Sequence, residues 1–321
     1  MLMCLFRHFR QDESITQMNI RQFVAFFILS GLCLTSLTHS AADEPKIEYD
    51  VVYGEVDGTE LHMDIAVPAK QNNAKQNNAK QNNAKQNNAA PCIVVIHGGA
   101  WTAGNKKDHL AEIKHFSKHG YVSVSIEYRL CPKHQFPAQI EDTKCAIRYL
   151  RANASQYGIH PGKIGALGFS AGAHLSMLLG TMGPENGLEG KGGWPDQSSK
   201  VQAVVSFYGP TKLDATDIPK GSVPLVSAFI GGSQKEKQVA YRQASPLTYV
   251  SSGDAPMLLF HGTKDPLVPH SQSTKMATAM TRHNIPGRVE LLLNAGHGWG
   301  DKESERTRNS TLAFFGKHLR D

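Results

Sequence analysis

Cysteine is scarce in this chain, five among 321 residues. Cys4 and Cys33 fall within the first 42 residues, which leaves Cys92, Cys131 and Cys145 for the body. An odd count permits at most one intramolecular bridge there, and Cys131 with Cys145 is the only pair close in sequence. Either those two are joined or all three are inert thiols. No cysteine has the setting of a nucleophile, and neither zinc-ligand spacing nor His-Glu-x-x-His occurs, so no metal or organic cofactor is expected. A clustered basic face is also missing. The formal net charge is +6, but Lys70, Lys75, Lys80 and Lys85 of one repeat supply four of those charges. Arg7, Arg10 and Arg21 against Asp12 and Glu13 supply one more, so the body carries only +1. That excludes the ordinary basic surface of a nucleic-acid binder.

Long apolar runs are confined to one place. Residues 20–38, IRQFVAFFILSGLCLTSLT, follow a short basic flank and lead into the small residues HSAAD. This is the layout of a secretory signal peptide cut near Ser40 or Ala42, with Met18 a better start than Met1. Export to the periplasm or the extracellular space is the expectation. The alternative is an uncleaved membrane anchor, against which the run is short and holds Ser30 and Gly31. Cys33 follows Leu32, which does not suit lipid attachment. With the leader removed, residues 43–321 form the predicted domain, and nothing in them calls for membrane insertion. The oligomeric state is not legible.

What is present suits one α/β domain, since 40% hydrophobic residues can fill a sizeable core. Residues 46–68 alternate apolar and polar around Asp57-Gly58, the pattern of a β-hairpin. AKQNN then repeats four times over residues 69–88. This tract has too little apolar surface to offset its ordering entropy, so a disordered loop over 69–90 is expected. From Cys92 onward CIVVIH, YVSVSIEY, KIGALGF, VQAVVSFYG, PMLLFHG and RVELLLN alternate with helical segments such as 138–153 and 171–180. Such short, fully apolar runs predict a mostly parallel sheet with helices on both faces. Helix 138–153 carries the stripe Ile140, Cys145, Ile147 and Leu150. Connections 181–199 and 211–249 are longer than turns require, and both are expected to form a small cap that shapes the site.

Gly168-Phe169-Ser170-Ala171-Gly172 stands where the run KIGAL passes into the helix AHLSMLLG. A serine on so sharp a strand-to-helix turn presents its hydroxyl at the edge of the sheet, with a helix N-terminus behind it. A serine hydroxyl is a weak nucleophile without a base and without donors for the oxyanion it creates. For donors, the run IVVIHGGAW points to the N–H groups of Gly99 and Ala100, with that of Ala171 after the serine. For the base, His174 is nearest, but four residues along the helix its side chain runs into packing. It reads as a hydrogen-bonded structural histidine, and His174→Gln is expected to keep most activity. His297, between glycines in NAGHGWG after the last apolar run, is the better base. Asp265 in HGTKDPLVP is the orienting acid. Asp301 is too close to His297, and Asp142 is placed on a helix surface.

HGGAW, the stretch YRLCPKHQFPAQIEDTKCAIRYLRANASQYGIHPGKIGALGFSAGAH, HGTKDPLVP and GHGW together resemble esterases of the α/β-hydrolase superfamily. The likeness covers most of residues 47–318, on the hormone-sensitive-lipase-like and feruloyl- or acetylxylan-esterase-like side. It implies an α/β-hydrolase fold, the order Ser170, Asp265, His297, and a small-molecule or polysaccharide ester as substrate. Three positions depart from the pattern. Many relatives carry a third glycine where Ala100 stands; an alanine N–H still donates provided its φ is not positive. The lipase-like enzymes usually carry Asp at Phe169 and Gly at Ala173, so the resemblance is closer to the exported carbohydrate-type branch. Esterases of acylglycerols, serine peptidases of the same fold, and non-catalytic binding modules remain alternatives.

Overall fold

In the computed structural model the described residues are 44–69 and 89–320. The leader and all but the first residue of the AKQNN tract, to which the expected export and disorder belong, lie outside them; Ala90, the last residue of the expected loop 69–90, begins a strand instead. Eight strands form one sheet: β1 (Lys46–Val56), β2 (Thr59–Val67), β3 (Ala90–Ile96), β4 (Val122–Ile126), β5 (Ile159–Phe169), β6 (Ala203–Phe207), β7 (Met257–Gly262) and β8 (Gly287–Leu292). Their spatial order is β1-β2-β4-β3-β5-β6-β7-β8. The hairpin β1–β2 and the pair β2–β4 are antiparallel, and every other pair is parallel. Together with helices on both faces this is the expected α/β-hydrolase architecture. The longer helices are α1 (Leu110–Lys118), α2 (Ala138–Ala152), α3 (Ala171–Thr181), α4 (Val223–Ile230), α5 (Gln238–Gln243), α6 (Ser271–Arg282) and α7 (Asp301–Leu319). No helix among the described residues is long and apolar enough to cross a membrane.

Successive residues of a strand face opposite sides of the sheet, so each apolar run feeds two cores. Cys92, Val94 and Ile96 of β3 join Ile147 of α2 and Leu175 of α3 in one. Ile93 and Val95 join Phe116 of α1 and Phe315 of α7 in the other. The run RVELLLN, expected to be buried, is instead the edge strand: Leu291 is 43% exposed and Leu293 beyond it 82%. Periodicity cannot distinguish an edge from a centre when the run is this apolar. Cys92, Cys131 and Cys145 are buried free thiols, so the 131–145 bridge does not form.

Parallel pairing brings the carboxyl ends of the strands to one level. Ile96 pairs with Gly168, Phe169 with Phe207, Phe207 with Phe260, and Gly262 with Leu292. The loops that follow β3, β5, β6, β7 and β8 therefore leave the sheet side by side. Five stretches far apart in sequence meet at that edge.

Segment 181–199 is not part of a cap. Helix α2 buries more than its predicted stripe, including Lys144 and Arg148. Two cations out of water need acceptors, and the segment supplies them. Lys144 Nζ donates to Gly187 O at 2.9 Å and to Glu189 Oε1 at 2.8 Å. Arg148 donates to Glu189 Oε2 at 2.8 Å and to Gly193 O. Trp194 Nε1 donates to Tyr53 O of β1 at 3.0 Å. The segment is thus strapped along α2 and β1. Glu189→Ala is expected to lower the free energy of unfolding by about 2 kcal/mol, because it leaves two buried cations short of an acceptor. Chemical denaturation checks this; an unchanged midpoint would mean that water satisfies both cations.

Candidate active site

Ser170 stands between β5 and α3 with φ 51° and ψ −115°, a conformation L-residues adopt only under constraint. The constraint is a close crossing of backbones. A Cβ on Gly168 would lie 2.2 Å from the Gly172 carbonyl carbon, and one on Gly172 would lie 2.1 Å from Ile96 O. Both glycines are therefore obligatory, and the turn is pressed against the end of β3. Ser170 N donates to Phe207 O at 2.9 Å, which anchors the turn to β6. Ala171 is the first residue of α3, where a helix N–H has no intrahelical acceptor.

His297, Asp265 and Ser170, 32 and 127 residues apart in these pairings, are hydrogen bonded in series. His297 Nε2 lies 2.9 Å from Ser170 Oγ, and His297 Nδ1 lies 2.7 Å from Asp265 Oδ2. The Asp265 side chain is fully buried and that of His297 is 17% exposed. Burial by itself would raise the Asp265 pKa. The hydrogen bonds from His261, His297 and the Val268 N–H outweigh it and hold the carboxyl well below the usual range. Its Oδ1 accepts from the N–H groups of Leu267 and Val268, both at 2.9 Å, which leaves Oδ2 for the imidazole. An ionised acid so placed holds a proton on Nδ1 of His297 and leaves Nε2 able to take one from the serine.

The loop after β3 completes the site. Gly98, Gly99 and Ala100 line the cleft with Ser170, Ala171 and His297. His97 is stacked on Tyr128 at 4.2 Å, and the Tyr128 hydroxyl donates to His97 O and Gly98 O. Gly99 has φ 94°, and a Cβ there would lie 2.2 Å from Ala103 O. The condition placed on Ala100 is not met: its φ is 51°, and that of Trp101 is 59°. A positive φ does not remove the N–H; it makes two successive non-glycine residues strained, about 1–2 kcal/mol each. The strain persists because Trp101 is locked: it is 4% exposed and stacks on Phe229 of α4 at 4.2 Å.

The cleft has a volume of about 620 Å³. Segment 208–226 gives it an apolar wall of Pro210, Leu213, Ile218, Leu225 and Val226, and Leu267 adds to it. Of the two connections expected to form a cap, only 211–249 reaches the site. Asp108, His109 and Glu112 also line the cleft, and His109 stacks on Phe169 at 4.5 Å. Sequence reasoning missed these three, as well as Tyr208, whose ring lies 4.6 Å from that of His297. Tyr208 follows β6 directly, so its position at a strand end was the available signal. Among the described residues no three His, Cys, Asp or Glu gather as metal ligands would.

Of the other candidates weighed, His174 and Asp142 are engaged elsewhere, Asp142 for a different reason than expected. His174 is fully buried and bonds to Trp101 and to Ala244 O, away from Ser170 Oγ. Asp142 is buried, not on a helix surface, and Arg129 engages it with Nε and with Nη2 at 2.8 Å. Asp301 is the first residue of α7.

Comparison with known proteins shows the family. Residues 80–280, well over half of the chain, match the BD-FAE family model. The chain belongs to the BD-FAE family. The BD-FAE match includes Ser170 and Asp265 and ends before His297, which the fold alone brings to them. Esterase LipQ of Mycobacterium tuberculosis is 33% identical over 194 residues, 60% of this chain and 46% of LipQ. The probable carboxylic ester hydrolase LipM of the same organism is 32% identical over 229 residues, 70% of this chain and 49% of LipM. The chain thus spans about half the length of these curated relatives. A solved structure described as a truncated carbohydrate esterase from gut microbiota superposes with a TM-score of 0.74 at 26% identity, over 88% of this chain and 99% of that one.

For this BD-FAE chain, Ala100→Gly is expected to raise the free energy of unfolding by up to about 1 kcal/mol. Relief of the left-handed strain is partly offset by the chain entropy of glycine, about 0.5–1 kcal/mol. Urea unfolding measures the difference, and a loss of stability would show that the Ala100 methyl is held by packing stronger than the strain.

Proposed function

We propose that this protein is an exported serine carboxylesterase of small acyl esters, with acetyl or feruloyl groups on polysaccharide as its substrate class. The observation that carries the reading is the hydrogen-bonded chain Ser170–His297–Asp265 opening onto the cleft beside the N-terminus of α3. Ser170 Oγ attacks the ester carbonyl as His297 Nε2 takes its proton. The N–H groups of Ala171, Gly99 and Ala100 receive the oxyanion. His297 then protonates the departing alcohol, and water releases the acyl group by the same steps in reverse roles. Support comes from relatives named as esterases and from the carbohydrate esterase among the solved structures. The apolar leader supports export.

A second reading, esterase action on longer acyl chains such as those of acylglycerols, is favoured by the apolar wall and by Leu267, 44% exposed where it lines the cleft. A panel of p-nitrophenyl esters of rising chain length beside acetylated xylan and methyl ferulate separates the two. Preference for acetyl over octanoyl, with release of acetate from xylan, supports the first; the opposite order supports the second. Ser170→Ala is expected to abolish hydrolysis of p-nitrophenyl acetate and labelling by a fluorophosphonate, and normal turnover in that variant would sink the mechanism. Asp265→Asn is expected to lower kcat by about 10⁴-fold, as loss of the orienting acid leaves the imidazole in the wrong tautomer. Steady-state kinetics checks it: a drop below tenfold would mean that another group orients His297.

A further inference from the structure

His174 touches three parts of the site without touching Ser170 Oγ. It lies on α3, four residues after the serine. Its Nδ1 is 3.3 Å from Trp101 Nε1 on the loop after β3, and its Nε2 is 2.6 Å from Ala244 O in segment 211–249. Its ring meets those of Trp101 and Phe229 edge-on, at 5.2 and 5.6 Å. An indole N–H only donates and a carbonyl only accepts. The imidazole must therefore carry its proton on Nε2 and present a lone pair at Nδ1 to Trp101. Burial pushes its pKa down to about 4, in keeping with a neutral ring.

What this bond holds is a strained stretch of backbone in the site. Ala100 and Trp101 both have positive φ without being glycine. Such a conformation lasts only where the surroundings over-determine it. The Trp101 side chain has two restraints, the stack on Phe229 and the bond to His174; its carbonyl has a third, the N–H of Cys131 at 2.9 Å. Among the hydrogen bonds of the described residues, the one to His174 is what joins this loop to the helix that bears Ser170 and Ala171. We propose that His174 is a positioning residue for the oxyanion-binding loop, setting Gly99 and Ala100 relative to Ser170 through the Trp101 indole. This rests on the serine-esterase reading above. It reverses the expectation drawn from sequence that His174→Gln keeps most activity.

The two bonds of His174 can be removed separately. An asparagine side-chain oxygen can occupy the place of Nδ1 and accept from Trp101. A glutamine amide reaches the place of Nε2 and donates to Ala244 O, leaving Trp101 without its acceptor. Oxyanion donors act on the transition state, and loss of a whole donor typically costs about 10²–10³ in turnover. With p-nitrophenyl acetate, His174→Gln is expected to lower kcat about 10- to 100-fold with KM within twofold, while His174→Asn stays within about threefold of wild type. Trp101→Phe keeps the stack and loses the N–H, so it should match His174→Gln, and the double variant should lose no more than either single one. Circular dichroism and Tm establish that each variant is folded. The inference is overturned if Gln and Asn behave alike, if KM rises with kcat unchanged, or if the two losses multiply. Should His174→Gln not fold, Trp101→Phe decides: a wild-type kcat overturns the inference, and a kcat loss at constant KM upholds it. Fluorophosphonate labelling of wild type, abolished in Ser170→Ala, tests the esterase reading separately from the role of His174.

Discussion

The structure turns on the contact between the serine turn and the end of β3. Gly172 lies so close to the Ile96 carbonyl that no side chain could stand between them. That contact sets the height of α3 above the sheet, and with it the height of Ser170 and the Ala171 N–H. It also places the loop from Gly98 to Trp101 beside the serine, since that loop begins two residues after Ile96. The two halves of the site meet at this one close approach of backbones.

Around this crossing the sheet acts as a register. Paired residues at the ends of β3, β5, β6, β7 and β8 bring a serine, an acid and a histidine to one edge although they span more than a hundred residues. Local forces then refine the geometry. Two N–H groups occupy one oxygen of Asp265 and so aim the other at His297. Four of the non-glycine residues with positive φ, Ala100, Trp101, Ser170 and Tyr208, line the cleft, where a shift of backbone position would matter to a bound ester.

The buried charges divide into two kinds. Lys144, Arg148 and Glu189 fasten a long connection to the back of α2, and Arg129 with Asp142 does the same at the start of that helix. These are pairs whose cost of desolvation is offset by mutual hydrogen bonds. Asp265 is different: among the described residues no lysine or arginine pairs with it, its partners are backbone N–H groups and histidines, and its charge is available to a histidine that faces the cleft.

Much of this was legible in the chain. Gly168 and Gly172 around Ser170, His297 between its own glycines, and Asp265 after PMLLFHG mark strand ends by residue type and spacing alone, and the apolar runs mark the sheet. These are local signals, and backbone sterics and periodicity read them directly. Other features depend on what lies opposite, which no local pattern carries. The edge position of β8, the strapping of segment 181–199 to α2, and the burial of Asp142 follow from which surfaces meet. His174 shows the difference most plainly. Its place on the helix told that it turns away from the serine, whereas only the folded chain decided that it turns toward Trp101, because that contact joins residues 73 positions apart.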